Sequence, residues 1–210
     1  MNEIHPEFAN RNLITGLPDF QPFPKLARLN REIVITEKLD GTNAQIYIGE
    51  DGSIRAGSRN RWITPSDDNY GFARWCNDNF AELLKLGPGR HFGEWWGAGI
   101  QRNYGLKEKR FSLFNVHRWK PCSDEQNPGV YYVEGLQGIP GPNCCHVVPT
   151  LWRGNYDMMR EYLVLSDLRD RGSVAAPGFM DAEGIVIFHT AAGQCFKVTL
   201  KNDDKPKSLV

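Results

Sequence analysis

The run Glu32-Ile33-Val34-Ile35-Thr36-Glu37-Lys38-Leu39-Asp40-Gly41-Thr42-Asn43 decides how the rest of the chain is read. The β-branched triplet Ile33-Val34-Ile35 predicts a strand. Lys38 stands where that strand ends, and Gly41 follows three residues later. A lysine at a strand end before a glycine turn can point into a cleft while the backbone lets a ligand approach. Taken alone, Lys38 reads more readily as a surface lysine on a hairpin.

Working outward, Gln45-Ile46-Tyr47-Ile48 and Ser53-Ile54-Arg55-Ala56 predict two further strands. Between them, Gly49-Glu50-Asp51-Gly52 carries the Asp-Gly signature of a tight hairpin. Phe72, Trp75, Cys76, Phe80, Leu83 and Leu84 recur at helical spacing, which predicts a helix from Ser66 or Asp67 to the stop Gly87-Pro88-Gly89. Short strands are expected around 91–96 and 111–119. Loop-like stretches follow at 121–128 and 135–143, with a short strand at 130–133 between them. A second helix is expected from Asn155 to Arg171, ended by Gly172. Apolar strands at 185–188 and 195–200 complete the pattern.

The first thirty residues show no period and read as an irregular lead-in, while the tail from Lys201 to Val210 is polar and is expected to fray. Strands outnumber helices without alternating regularly with them, so the fold class is α+β with mostly antiparallel sheets flanked by helices. The expected organisation is one domain over residues 1–201, a polar tail over 202–210, and no C-terminal oligonucleotide-binding domain.

At 210 residues, 40% of them hydrophobic, the chain can bury a sizeable core. Its 25 basic and 25 acidic residues cancel, which argues against nucleic-acid binding by bulk charge but not against a local basic groove. No run of 18 apolar residues exists, and the start lacks the apolar centre of a secretory signal. Five cysteines make a poor disulfide framework and suit a reducing cytoplasm, which includes a host cytoplasm if the source is a phage. Cys144-Cys145-His146 could hold zinc, although adjacent cysteines lack the usual ligand spacing. The plainer reading puts them in a loop and the core.

Lys38-Leu39-Asp40-Gly41 resembles the Lys-x-Asp-Gly motif of the covalent nucleotidyltransferases, which comprise DNA ligases, RNA ligases and mRNA capping enzymes. Four further blocks resemble the same superfamily in the same order. They are Gly57-Ser58-Arg59-Asn60-Arg61, His91-Phe92-Gly93-Glu94-Trp95-Trp96-Gly97, Phe111-Ser112-Leu113-Phe114-Asn115-Val116, and Glu183-Gly184-Ile185-Val186 with Phe196-Lys197-Val198. Together they cover about residues 32 to 201. The resemblance implies an adenylation domain that takes ATP as substrate with Mg2+, or Mn2+ in its place. It makes Lys38 the nucleophile that forms lysyl-AMP. Arg59 and Lys197 would contact phosphates, with Lys197 also catalytic, and Glu94 the ribose. Phe114 would stack on adenine, Glu37 or its backbone would meet the adenine edge, and Asn43 would join the nucleotide contacts. Glu183 would hold the metal ion through water.

Each residue also has a reading of its own. Glu94 between Gly93 and Trp95 can accept hydrogen bonds from hydroxyls, or be a solvated strand charge. Phe114 suits a base-stacking platform or a core position. Glu183, preceding an apolar strand, can hold a hydrated magnesium ion. Lys197 inside an apolar strand needs an anion, or else sits on an edge strand and reaches water. As a nucleophile Lys38 must lose its proton, which a neighbouring cation or bound metal favours by penalising the charged form.

Gly41-Thr42-Asn43 is similar to the nick-sealing RNA ligases, whereas DNA ligases and capping enzymes usually carry arginine two places beyond the glycine. The expected partners are therefore RNA ends or a nicked duplex, with no membrane and with room for a partner protein that supplies substrate binding. A DNA ligase, a capping guanylyltransferase and a non-catalytic nucleotide- or RNA-binding module are the alternatives. One departure stands out. Many relatives carry Lys-x-Lys in the last block, where this chain has Lys197-Val198-Thr199 and a lysine at Lys201.

Overall fold

In the computed structural model, which describes residues 19–122, 129–134, 137–201 and 203, the β-branched run forms strand β1 (Glu32–Lys38). It is followed by β2 (Thr42–Ile48), β3 (Ile54–Ser58) and β4 (Trp62–Ile63). The expected hairpin joins β2 to β3: Gly52 takes φ 78° and donates to the Gly49 carbonyl. Strands β5 (Gly89–Gly97), β6 (Lys109–Leu113), β7 (Trp119–Pro121), β8 (Val130–Glu134), β9 (Gln137–Pro140), β10 (Cys145–Val147) and β11 (Thr150–Asn155) come next. The last two are β12 (Gly184–His189) and β13 (Gln194–Thr199).

Three sheets result. A four-stranded sheet has the order β11-β1-β12-β13, a six-stranded sheet β10-β6-β5-β2-β3-β4, and a small one β7-β8-β9. All pairings are antiparallel except β10 with β6, so the α+β class with mostly antiparallel sheet holds. Side chains alternate across a strand. Ile33 and Ile35 accordingly enter one core with Leu168, Ala182, Ile185 and Ile187. Val34 enters another with Leu39, Trp96, Tyr104, Val116, Val148 and Ala176. The largest core lies behind the six-stranded sheet, where Phe72, Trp95 and Phe111 pack ring against ring. Each such ring removed from water contributes about 2 kcal/mol.

The first helix departs from expectation. Helix α1 (Phe72–Asp78) starts after Tyr70 and Gly71, which take φ 51° and 82°, not at Ser66 or Asp67. Asp67 instead pairs with Thr64 in a small bridge. Asp68 accepts from the Ala73 and Arg74 amides, serving donors that a helix start leaves open. The helix is interrupted at Asn79 and resumes as α2 (Phe80–Leu83) and a 3-10 turn at Leu84–Leu86 that ends at Gly87. The long helix α3 (Met158–Arg171) begins three residues later than expected. Asp157 caps it by accepting from Met159, and Gly172 at φ 83° ends it as predicted.

Two strand expectations also change. The strand expected over 111–119 stops at Leu113, because the Asn115 side chain accepts from the His117 and Arg118 amides and folds the chain into a turn. The stretch 135–143 is not wholly loop, since β9 pairs with β8. Strands β4, β10 and β11 lie outside the expected set. Described residues 19–31 contain no helix or strand. The expectations for residues 1–18, 123–128, 135–136, 202 and 204–210 lie outside the described residues. Among the described residues no helix is long and apolar enough to cross a membrane. Cys145 points into the core while His146, one residue on, faces the other way, so the pair does not converge on an ion. The described residues contain no group of three or more His, Cys, Asp or Glu arranged to hold a metal.

Candidate active site

A cleft of about 730 Å3 opens between the four-stranded and six-stranded sheets. Val34, Thr36, Lys38, Val186 and Phe188 line it from one side, and Asn43, Phe92, Glu94, Leu113 and Phe114 from the other. Lys38 reaches this cleft because the strand alternation that buries Val34 puts Thr36 and Lys38 on the same face. Pairing of β1 with β12 sets Lys38 opposite Gly184, so Glu183 arrives at the same sheet end. Its carboxylate lies 2.5 Å from the Lys38 ammonium. Glu183 is almost fully buried and Lys38 partly so, which makes this a largely desolvated ion pair. Gly184 is required there: at φ 154° a Cβ would lie 2.1 Å from the Val198 carbonyl oxygen.

Across the cleft, Glu94 sits on β5 opposite Asn43 of β2. Its carboxylate accepts from the Asn43 side-chain amide at 2.8 Å and from the Gly41 backbone N–H at 3.2 Å. Gly41 can pass this close to β5 because it has no Cβ, which would meet the Trp95 carbonyl at 2.4 Å. Burial pushes the Glu94 carboxyl up to about 7, against the pull of the Asn43 hydrogen bond and the Lys38 charge. The nearby Glu183 carboxylate pushes in the same direction as burial.

The Glu37 side chain is turned away from Lys38, onto the opposite face of β1. There it accepts from the Ser173 hydroxyl at 2.5 Å and from the Val174 and Ala175 amides at 2.9 Å each. It therefore anchors the segment after α3, and only its backbone is left to meet a ligand beside Lys38. Burial raises its carboxyl, and the three hydrogen bonds oppose that rise.

Phe114 lies one residue past the end of β6 and is 42% exposed at the cleft rim. Its far side borders a smaller recess of about 220 Å3, lined also by Phe92, Gln45, Ser58 and Arg59. Arg59 thus lies beyond Phe114 and does not line the cleft. Lys197 pairs with Val186 across β12 and β13, and directly opposed residues share a face, so it rises on the cleft side. It is exposed on an edge strand, not enclosed in apolar surroundings.

Several contributors have no sequence signal of their own. The Asp40 carboxylate accepts from Arg102 at 2.9 Å, and Arg102 also donates to Asp181 at 2.8 Å. Lys201 is engaged with the same Asp181 at 2.6 Å. The Tyr104 hydroxyl accepts from the Asp40 backbone N–H at 2.8 Å. Arg102 thereby ties the turn after Lys38 to the segment that leads into Glu183. Its loop holds Gln101, Asn103 and Tyr104 at φ 44°, 61° and 52°, a conformation that non-glycine residues rarely adopt. The Asp40 carboxylate stood in the sequence motif, but its partner 62 residues later did not.

Residues 31–199 match the sequence profile of the RNA ligase family. Solved structures of Naegleria gruberi RNA ligase share the fold. A ligand-free mutant aligns with a TM-score of 0.53 at 21% identity, covering 81% of this chain and 50% of that one. A mutant with ATP and Mn gives 0.52 at 21% identity over 82% and 51%. The ligase with pyrophosphate gives 0.52 at 20% identity over 90% and 60%. This chain thus spans 50–60% of the length of that ligase. No curated protein matches the sequence. The profile covers most of the chain, including Lys38, Glu94, Glu183 and Lys197, and the chain belongs to the RNA ligase family.

Proposed function

We propose that this chain is an ATP-dependent RNA ligase that joins 3′-hydroxyl and 5′-phosphate ends through AMP carried on Lys38. The observation that carries this reading is the Lys38 amine in the cleft wall, 2.5 Å from Glu183 and facing the Asn43–Glu94 pair. Lys38 Nζ, as the free amine, attacks the α-phosphorus of ATP. The N–P bond forms, the bond to the bridging oxygen breaks, and pyrophosphate leaves. An oxygen of the RNA 5′-phosphate then attacks the AMP phosphorus and frees the lysine. Finally the 3′-hydroxyl attacks the activated 5′-phosphorus, loses its proton to solvent, and AMP departs.

Such phosphoryl transfers depend on positioning and charge neutralisation. Glu183 offers the hard oxygen donors that suit a hydrated divalent ion completed by substrate phosphates. A Mg2+ or Mn2+ ion held on Glu183 through water would supply positive charge against the phosphates and weaken that carboxylate's hold on the lysine proton. Arg59 and Lys197 are assigned to phosphate contacts, Phe114 to the adenine face, and the Glu37 backbone to the adenine edge. Glu94 accepts from a ribose hydroxyl, and Asn43 orients it. Five free thiols support a reducing, cytoplasmic setting. Incubation with α-labelled ATP and magnesium is the test: label should appear on the protein, and its absence would sink the proposal. Sealing rates on nicks with RNA or DNA ends then separate the RNA reading from a DNA one.

The role of Glu94 makes a pH prediction. Its carboxyl titrates at about 7, and a protonated group cannot accept from Asn43, Gly41 and a ribose hydroxyl together. The apparent KM for ATP in self-adenylylation should rise as pH falls through about 7. E94Q should raise KM at high pH and lack that titration; an unchanged titration in E94Q would refute the assignment.

Arg102 should act through geometry. R102A cuts its links to Asp40 and Asp181 and should slow self-adenylylation by roughly tenfold while leaving the labelled site on Lys38. A single-turnover rate equal to that of the parent chain would show that the network does not position the lysine.

A further inference from the structure

The face of the six-stranded sheet that lines the cleft continues beyond it. Register sets Gln45 opposite both Phe92 and Gly57, Tyr47 opposite both Arg90 and Arg55, and Trp62 opposite Gly57. Directly opposed residues share a face, so these side chains form one surface running outward from Glu94. The reverse face buries Ala44, Ile46, Ile48, Ala56 and Ile63 in the core. From Glu94 through Phe92 to Arg90 the track covers about 14 Å at the usual strand rise.

Its chemistry is uniform. Phe92 is 53% and Trp62 42% exposed. The Arg90 guanidinium lies 5.3 Å from the Tyr47 ring centroid and 5.2 Å from that of Trp62, and it donates to the Gln45 side chain at 2.9 Å. Arg55 stands exposed in the same row. Among the described strand residues of this face, the only carboxylate is Glu94 at the cleft end. Two exposed rings, one of them under the Arg90 guanidinium, beside a second exposed arginine on a face whose strands carry one carboxylate among the described residues, match what a single strand of nucleic acid requires. Rings stack on bases without regard to sequence, and arginines meet the backbone phosphates.

We infer that this face is a platform for single-stranded RNA whose end enters the cleft; the inference rests on the ligase reading above. Charge complementarity and direct continuity with the cleft favour RNA over a protein partner. Phe92, which borders the cleft and the platform alike, marks the crossing point.

Fluorescence anisotropy with the full chain and a fluorescein-labelled, 5′-phosphorylated single-stranded RNA tests this. W62A should weaken binding by about tenfold through loss of one stacking surface. R55A should weaken it and reduce the slope of log K against log salt by about 0.7, the loss of one phosphate contact. Both variants should label with ATP as the parent chain does, and R169E, an exposed change on α3, should bind RNA normally. R55A alters only an exposed side chain, so it carries the test even if W62A fails to fold. Parent-like affinity and salt slope in R55A would overturn the inference. So would a parent chain that labels with ATP yet does not bind the RNA, an outcome that leaves the lysine chemistry standing. RNA binding sensitive to Arg55 in a chain that never labels would keep the platform and remove the ligase reading.

Discussion

K38A is expected to carry no detectable AMP after incubation with ATP and a divalent cation, a loss of more than about a thousandfold. On the proposed mechanism the substitution removes the atom that bonds to phosphorus, and no other amine among the described residues lines the cleft beside it. The other amine on this side of the cleft, Lys197, rises from the sheet edge two strands from β1. The substitution also strands a charge. Glu183 would lose the cation 2.5 Å away while remaining almost fully buried, at a cost of about 3 kcal/mol. Loss of label could therefore come from loss of fold. K38R separates the two effects, because a guanidinium keeps the ion pair yet is too weak a nucleophile to attack phosphorus. K38R should melt close to the parent chain in urea and still take no label. Label persisting on K38A would assign the reaction to another residue.

E37A should produce the largest loss of stability among the site residues, about 3 kcal/mol or more by urea denaturation. Three donors converge on this one carboxylate: the Ser173 hydroxyl and the Val174 and Ala175 amides. Alanine leaves them buried without an acceptor, and each such group costs about 1–3 kcal/mol. The damage should spread toward the cleft, because Ala176 packs with Val34, Leu39 and Trp96. Self-adenylylation should fall as a consequence, with the surviving activity showing little change in KM for ATP. E37Q keeps one acceptor oxygen and should recover part of the stability.

The pH dependence has a definite sign. Burial raises the Glu37 carboxyl above its ordinary 4.5, so the folded chain holds that proton more tightly than the unfolded chain. The stability this contributes is present below 4.5 and is lost as pH rises through the folded value. E37Q should lack that decline. An E37A chain as stable as the parent would show that the carboxylate does not anchor the 173–176 segment.

Glu37 also shows where reading a sequence stops. It adjoins Lys38, and the family resemblance assigns Glu37 or its backbone to the adenine edge. On a strand, neighbours point to opposite faces, so the residue next to Lys38 is the one whose side chain is least able to join it. Glu183 is the converse, 145 residues from Lys38 and brought to it by the pairing of β1 with β12. The motif blocks carried enough information to name both glutamates, but not to say which one faces the lysine. Phe114 was expected on an alternating strand; the Asn115 turn takes it off the strand and sets it on the rim. Arg102 and Asp181 were invisible, since an arginine in a polar loop has no pattern that distinguishes it.

What the sequence determined by itself is local. The β-branched run before Lys38, the Asp-Gly hairpin, the stop at Gly87 and the Gly172 end of α3 follow from backbone preferences that act over a few residues. The family likewise follows from ordered short blocks, each of which holds its own local geometry. The tertiary structure alone decided which of those blocks meet. Sheet register put Lys38 against Glu183 and Asn43 against Glu94, and it carried an aromatic, cationic face outward from the cleft. Register is a relation between distant strands, enforced by burying one face of each, and no local preference encodes it.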